Sequence, residues 1–356
     1  MKIAIILGTR PEIIKMSPII RECEKQGIEY YILHTGQHYS YDMDRIFFEQ
    51  LKLPGAKYNL DVGSGKHGGQ TAKMLAGIEE ILLKDTPYVV LVQGDTNTVL
   101  AGALAASKLQ IKVGHVEAGL RSFDRTMPEE TNRVVADHIS DYLFAPTENS
   151  KQYLLNEGIP EEKIFVTGNT VVDAAYQNLE IAKQTGDVLE TLGLKEKEYF
   201  AATAHRAENV DSKERLGRIL SGFSQIYEEF GLPIIFPAHP RTVKMIKEFG
   251  FEVPVGTRLI EPLGYLEFLQ LESGARLILT DSGGVQEESC ILKVPCVTLR
   301  DNTERPETVD VGANLISGTG KKIIECARKM LESDPDWENP YGNGDAAELT
   351  LKNCSN

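Results

Sequence analysis

The sequence predicts an α/β protein built from two doubly wound parallel sheets in succession. Three observations predict it. Short β-rich apolar runs alternate with amphipathic helical segments from end to end. Those runs are continuously apolar rather than alternating, as strands covered on both faces are. A fresh first strand begins at Tyr199, after a long polar stretch from Ala174 to Glu198.

In chain order the strand runs of the first half are KIAIIL, YYILHT, YVVLVQ, KVGHVE, YLFAPT and KIFVTG. Those of the second half are YFAATA, PIIFPA, TRLIEP, ARLILT and PCVTLR. Helical periodicity occupies Glu12–Lys25, Gln70–Lys84, Thr98–Ser107, Arg215–Phe230 and Lys321–Glu332. The expected division is an N-terminal domain of 1–170 and a C-terminal domain of 171–342, with residues 343–356 returning to the first.

Composition excludes several classes. A chain of 356 residues exceeds the ~100–200 of one ordinary domain. With 42% apolar and 25% charged residues it can bury a real core, which excludes a disordered or low-complexity protein. A net charge of −14 speaks against a general nucleic-acid binder or a binder of anionic membranes, both of which need a basic footprint. Five scattered cysteines with no CxxC pair argue against a disulfide framework or a zinc site, so no metal is expected and a reducing cytoplasm fits. The opening run MKIAIILGTR is too short to span a bilayer and reads as a buried strand.

In such folds ligands meet the loops after strand C-termini, and the two sets of loops are expected to face across a cleft. After the first strand comes Gly8-Thr9-Arg10-Pro11-Glu12, with Lys15 one turn into the helix. Pro11 suits the first helical turn, and the loop N–H groups with Arg10 make an anion site. A plain βα turn with a solvated arginine is the alternative. The string is not GxGxxG, so a nicotinamide cofactor is not indicated.

Three further loops each carry a carboxylate at one sheet edge. Asp95 lies in Gln93-Gly94-Asp95-Thr96-Asn97-Thr98, where a helix cap is the simpler reading. Glu117 follows the strand in Glu117-Ala118-Gly119-Leu120-Arg121. Glu129 and Glu130 open a helix, where acids also complement the dipole, and Glu129 can pair with Arg133 four residues on. Together they are harder to dismiss, because clustered like charges are costly without a purpose.

The second half supplies the positive side. His205-Arg206 follows the strand YFAATA and suits a phosphate or leaving group; His239 sits in a Pro-Ala-His-Pro turn. The strongest local signal is Thr280-Asp281-Ser282-Gly283-Gly284-Val285-Gln286-Glu287-Glu288. Bare backbone N–H groups of Ser282, Gly283 and Gly284 meet the positive end of a helix, which is a diphosphate cradle. Glu288 lies where a carboxylate can hold vicinal ribose hydroxyls. Arg300 and Arg305 follow the next strand.

The strings GTRPE, QGDTNT, GHVEAGLR, PEETNR, TGNT, TAHRAEN, TDSGGVQEE and RDNTERPE, collinear from residue 7 to beyond 307, closely resemble the non-hydrolysing UDP-N-acetylglucosamine 2-epimerase family. The resemblance implies a glycosyltransferase-B-like fold of two Rossmann-like domains, with a crossover near Asn339-Pro340-Tyr341-Gly342 and Asp345–Lys352 packing back. It also implies a cytoplasmic homodimer, no cofactor, and reversible conversion of UDP-GlcNAc to UDP-ManNAc for a surface polysaccharide or glycan. By motif match Asp95, Glu117 and Glu129 do the acid/base work and His205 assists the leaving diphosphate. Arg10, His205, Ser282, Gly283, Gly284 and Arg305 would hold the diphosphate and Glu288 the ribose. Lys15 and Phe268 are further substrate contacts, Phe268 near uracil, and Arg133 stands behind Glu129.

Many bacterial members bind a second, allosteric UDP-GlcNAc through a Gln-His pair and an Arg-Gln pair. Gln37-His38 and Gln70 remain here, with His239 opposite, but Gly69 occupies the arginine position. Other enzymes on such a fold are the rivals: a hydrolysing 2-epimerase releasing ManNAc and UDP, or a glycosyltransferase. A transferase needs no base at C2, so the carboxylate trio favours epimerisation. A silent UDP-sugar sensor would keep the glycine cradle without the trio.

Overall fold

The computed structural model describes residues 1–37 and 41–354, without the side chains of 41–43. Residue contacts divide the chain into two compact units, one of residues 1–177 with 341–356 and one of 178–340.

The first unit is a seven-stranded sheet in the order β3-β2-β1-β4-β5-β6-β7, every pair parallel. Its strands are β1 (Lys2–Leu7), β2 (Glu29–His34), β3 (Tyr58–Asn59), β4 (Val89–Gln93), β5 (Lys112–Val116), β6 (Tyr142–Ala145) and β7 (Ile164–Val166). The second is a six-stranded parallel sheet, β10-β9-β8-β11-β12-β13. It comprises β8 (Phe200–Thr203), β9 (Ile234–Pro237), β10 (Thr257–Ile260), β11 (Leu277–Thr280), β12 (Cys296–Thr298) and β13 (Asn314–Ile316). All eleven expected strands form. Two more, β3 and β13, are sheet edges of two and three residues, too short to leave an apolar run.

Burial follows the apolar runs. Ala4, Ile6, Val90, Val92 and Val113 are buried, and the helix Asn97–Lys108 lays Ala101, Ala103 and Ala106 against them. In the second unit the helix Lys213–Phe230 buries Leu216, Ile219, Phe223 and Ile226, spaced three, four and three apart. Phe223 meets Phe236 of β9 edge-to-face at 5.8 Å between ring centroids. Each large side chain fully buried this way contributes about 1.5–3 kcal/mol over its exposed state.

Both sheets reverse direction beside their first strand, so the crevices at the strand C-termini open between β1 and β4 and between β8 and β11. Those crevices are flanked by the GTR and GDT loops in one unit and the HR and DSGG loops in the other.

The expected boundary at residue 170 moves to 177. The helix Thr170–Thr185 starts inside the first unit, with Val171, Val172, Ala174 and Ala175 buried there. Its Asp173 carboxylate accepts the Ala346 and Ala347 N–H groups at 3.3 and 3.0 Å, so it caps the returning helix Ala346–Cys354. Where the chain returns, Asn169 N–H donates to the Tyr341 carbonyl at 2.8 Å. Gly168, at φ +79, lies under that carbonyl, 2.8 Å from where a Cβ would stand. The return therefore begins at Tyr341, two residues before the expected 343. No helix among the described residues is long and apolar enough to cross a membrane. All five cysteines are free thiols.

Candidate active site

In the first unit the β1 loop is built around Glu12. Its Oε2 accepts the Gly8 and Thr9 N–H groups at 2.7 and 2.8 Å and the Thr9 hydroxyl at 3.1 Å, and its Oε1 accepts the Thr96 hydroxyl at 2.5 Å. Glu12 thus ties the Arg10 loop to the Asp95 loop. Burial pushes its carboxyl up to about 7, against the lowering effect of those four bonds. A Cβ on Gly8 would stand 2.0 Å from Thr35 Oγ1, so only glycine fits where β1, β2 and β4 turn together. Arg10 Nε donates to the buried Asp44 at 3.1 Å, and its guanidinium lies over the Phe47 ring at 4.8 Å.

Asp95 does not cap the next helix; Thr96 does, accepting from Val99 N–H at 3.4 Å. The Asp95 carboxylate instead meets Arg133 Nη2 at 2.5 Å, while Asn132 donates to the Asp95 carbonyl at 2.8 Å. The expected pairing of Arg133 with Glu129 is corrected. Its other arm goes to Glu130 at 2.9 Å, because Glu130 points back to accept the Ser122 and Phe123 N–H groups and lies beside Arg133. Glu129, partly exposed, has no hydrogen-bond or ion-pair partner among the described residues. Glu117 sits at φ +69, a left-handed conformation that costs a non-glycine residue about 1–3 kcal/mol and marks a constrained site. Its Oε2 accepts from Lys15 Nζ at 2.6 Å and from Gln93 at 2.8 Å. Lys15, expected on substrate, is thus engaged with a catalytic candidate.

A cavity of about 420 Å³ is lined by Asp95, Glu129, Gln37, Gln70, His67 and Asn132 among others. Two of the residues expected at an allosteric site therefore share space with two of the carboxylates. Gln70 is fully used there: its amide donates to the Gln37 and Gly63 carbonyls at 2.8 and 2.9 Å and accepts from Asn97 at 2.8 Å. His38 lies outside the described residues.

In the second unit Asp281, wholly buried at the end of β11, organises the histidine loop. It accepts the His205 and Arg206 N–H groups at about 3.1 and 3.0 Å, the Asn209 amide at 3.0 Å and His205 Nδ1 at 2.8 Å. Burial alone would raise this carboxyl; the His205 contact and the donated bonds hold it below the usual carboxylate range. With Nδ1 so engaged, His205 presents Nε2 from a half-exposed ring. His205, Ser282 and Phe268 line one cavity of about 220 Å³ with His239. His239, unlike His205, is a cap: its Nδ1 accepts from Arg241 N–H at 3.2 Å.

The helix Gly283–Ile291 opens at the glycines, whose first-turn N–H groups have no intrahelical acceptor. Arg305 Nε sits 2.7 Å from the buried Glu287, which aims it along the same helix. Glu288 lies beside the Tyr265 hydroxyl and the wholly buried Glu272. Burial, and after it the neighbouring Glu288 charge, raises the Glu272 carboxyl well above its ordinary range. Sequence reasoning missed Glu12, Asp44, Asp281 and Glu272. Of these, Glu12 and Asp281 had a signal, standing inside the strings GTRPE and TDSGG.

A sequence profile described as UDP-N-acetylglucosamine 2-epimerase matches residues 21–353. The chain belongs to the UDP-N-acetylglucosamine 2-epimerase family. The enzyme of that name from Methanocaldococcus jannaschii is 62% identical over 99% of this chain and 98% of its own. A crystal structure of the M. jannaschii UDP-GlcNAc 2-epimerase in complex with UDP-GlcNAc and UDP is similar at a TM-score of 0.85, with 61% identity and 99% of each chain covered. A UDP-2,3-diacetamido-2,3-dideoxy-D-glucuronate 2-epimerase from Pseudomonas aeruginosa is 44% identical over 98% of this chain and 97% of its own. The glycosyltransferase-B-like α/β fold extends to the glycosyltransferase SnogD of Streptomyces nogalater, at a TM-score of 0.56 with 14% identity, covering 99% of this chain and 94% of SnogD.

Proposed function

We propose that the chain interconverts UDP-GlcNAc and UDP-ManNAc by eliminating UDP to 2-acetamidoglucal and adding it back on the inverted sugar. The observation that carries this reading is the carboxylate trio Asp95, Glu117 and Glu129 at the C-terminal edge of one parallel sheet. Inverting C2 means removing a proton from one face and returning one to the other. That carbon is unactivated, and a carboxylate of ordinary pKa near 4.3 cannot deprotonate it directly. Departure of UDP generates oxocarbenium character that acidifies the C2 proton; a carboxylate then takes it, leaving the glucal and UDP bound. Re-addition, with protonation from the opposite face, completes the cycle. The path needs anion stabilisation for UDP and acid/base groups on both faces.

In this reading Ser282, Gly283, Gly284, Arg10 and Arg305 hold the diphosphate, and His205 Nε2, aimed by Asp281, donates to its leaving oxygen. Glu288 holds the ribose and Phe268 lies against uracil. Glu129, with no hydrogen-bond or ion-pair partner among the described residues, is the carboxylate most open to substrate, whereas Lys15 and Arg133 already engage Glu117 and Asp95. The chemistry requires both sets of groups on one substrate molecule. Activation by a second UDP-GlcNAc, through Gln37, Gln70 and His239, predicts a sigmoidal rate curve.

The test is incubation with UDP-GlcNAc in D2O without added nicotinamide, followed by proton NMR. UDP-ManNAc carrying deuterium at C2 is expected. Free ManNAc with UDP overturns the non-hydrolysing reading. Turnover of UDP-2,3-diacetamido-2,3-dideoxy-D-glucuronate alone assigns the chain to the chemistry of its Pseudomonas relative.

A further inference from the structure

We infer that His115 is a buried, permanently protonated imidazolium which, with Asp137 and Arg121, positions the two loops that carry Asp95 and Glu117. None of these three residues faces substrate in the reading above, on which the catalytic part of the inference rests.

His115 is on β5, and both ring nitrogens meet acceptors. Nδ1 lies 2.6 Å from Asp137 Oδ1, on the helix Pro128–Ile139, and Nε2 lies 2.7 Å from the carbonyl of Gly94, the first residue of the loop after β4. A carbonyl can only accept, so Nε2 carries a proton. Asp137 is also only an acceptor, because its other oxygen takes the Gly119 N–H at 3.2 Å and Arg121 Nη1 at 2.7 Å, which hold it ionised. Nδ1 therefore carries a proton as well. An imidazole with two N–H groups is a cation.

The charge is balanced locally. Arg121 makes a bidentate pair with Glu157, both bonds at 2.7 Å, so two cations face two carboxylates. The charged groups packed around His115 are Asp137, Arg121 and, beyond Arg121, Glu157. Burial, and to a lesser degree Arg121, opposes the charge on His115, but the Asp137 carboxylate and the Gly94 carbonyl together raise the imidazole above its usual value. His115, Asp137 and the Arg121 side chain are each about 1% exposed.

A buried ion network is weak evidence for stability, since desolvation offsets most of the attraction. What it supplies is geometry. From one side it grips the Gly94 carbonyl, next to Asp95; from the other it grips the Gly119 N–H, two residues past Glu117. Gly94 N–H in turn donates to the Val116 carbonyl at 3.1 Å, which closes a ring through both loops. Bidirectional proton transfer at C2 needs its carboxylates held to within about half an ångström, and this ring spaces them.

The experiment is 15N NMR of the full-length protein labelled at histidine, with His115 assigned by its absence in His115→Gln. Both ring nitrogens should report protonation, unchanged from about pH 6 to about pH 9, where a free histidine would titrate. An unprotonated ring nitrogen in that range overturns the inference, whatever the enzyme's activity. In Asp137→Asn, His115 should lose one proton near neutral pH. His115→Gln keeps one donor for Gly94 but no charge. Its kcat should fall roughly a hundredfold with KM nearly unchanged, and amide exchange should quicken in 94–96 and 117–119 but not in the second unit. Unchanged kcat and unchanged exchange in a folded His115→Gln overturn the positioning role. A wild-type protein inert on UDP-GlcNAc overturns the proposed function instead, and the NMR and exchange results still decide the brace.

Discussion

Lys15 Nζ lies 2.6 Å from Glu117 Oε2, joining the first helix to the end of β5 across 102 residues of sequence. Glu117 is itself in a left-handed conformation, so the lysine fixes a carboxylate that the backbone already holds under strain. Lys15→Met should therefore act on catalysis rather than on binding. Loss of a charge-assisted hydrogen bond worth about 2 kcal/mol corresponds to a roughly 30-fold fall in kcat, with KM little changed. Steady-state kinetics on UDP-GlcNAc checks it; a rise in KM alone would return Lys15 to direct substrate contact.

Asp281→Asn tests the histidine dyad. The amide can offer its N–H to His205 Nδ1, where the carboxylate only accepts; that reverses the bond, fixes the neutral Nε2–H tautomer and removes the negative charge behind the ring. In a comparable arrangement such a swap costs several orders of magnitude, and here a loss of at least about a hundredfold in kcat is expected. The cradle is untouched, so UDP affinity measured by calorimetry should change by less than about threefold.

Glu12 carries a pH signature. Its folded value near 7 exceeds the ordinary 4.5, so the folded state binds more protons between those values. Stability from this group is fully present below about pH 4.5 and is lost as pH rises through 7. Glu12→Gln keeps an oxygen for the Gly8 and Thr9 N–H groups and an amide for Thr96, without the charge. Thermal unfolding should show the variant gaining on the wild type above pH 7, by up to about 3 kcal/mol, and matching it near pH 4.5. A pH-independent difference would mean that Glu12 does not titrate in the folded protein.

Asp173 ties the returning helix to the first unit. Asp173→Ala leaves the Ala346 and Ala347 N–H groups without an acceptor and should cost about 1–2 kcal/mol. Hydrogen exchange should quicken across 346–354 before it does in β1 or β4. Burial raises the Asp173 carboxyl to about 6, so in wild type this cap too loses stability as pH rises through that value.

Much of this protein was legible in one dimension. Parallel strands buried on both faces must be continuously apolar, so eleven strands and their helices stand out, and motifs such as TDSGG and GHVEAGLR name loops at their C-terminal ends. The edge strands β3 and β13 escaped because two or three residues with one neighbour need no apolar run. Arg133 was assigned to Glu129 because helix spacing permits it, but helix spacing permits Glu130 equally. The choice fell to Ser122 and Phe123, whose N–H groups draw Glu130 inward.

What the sequence by itself determined is therefore the set of chemical groups and the strand ends that bear them, since hydrophobic periodicity and turn residues are local properties. Only the tertiary structure decided which group holds which. Lys15 with Glu117, Arg133 with Asp95, Asp281 with His205, and His115 between Gly94 and Asp137 are pairings across about 20 to 100 residues of chain. Hydrogen bonds depend on distances of a few tenths of an ångström, and such distances exist only once the sheets have set strand beside strand.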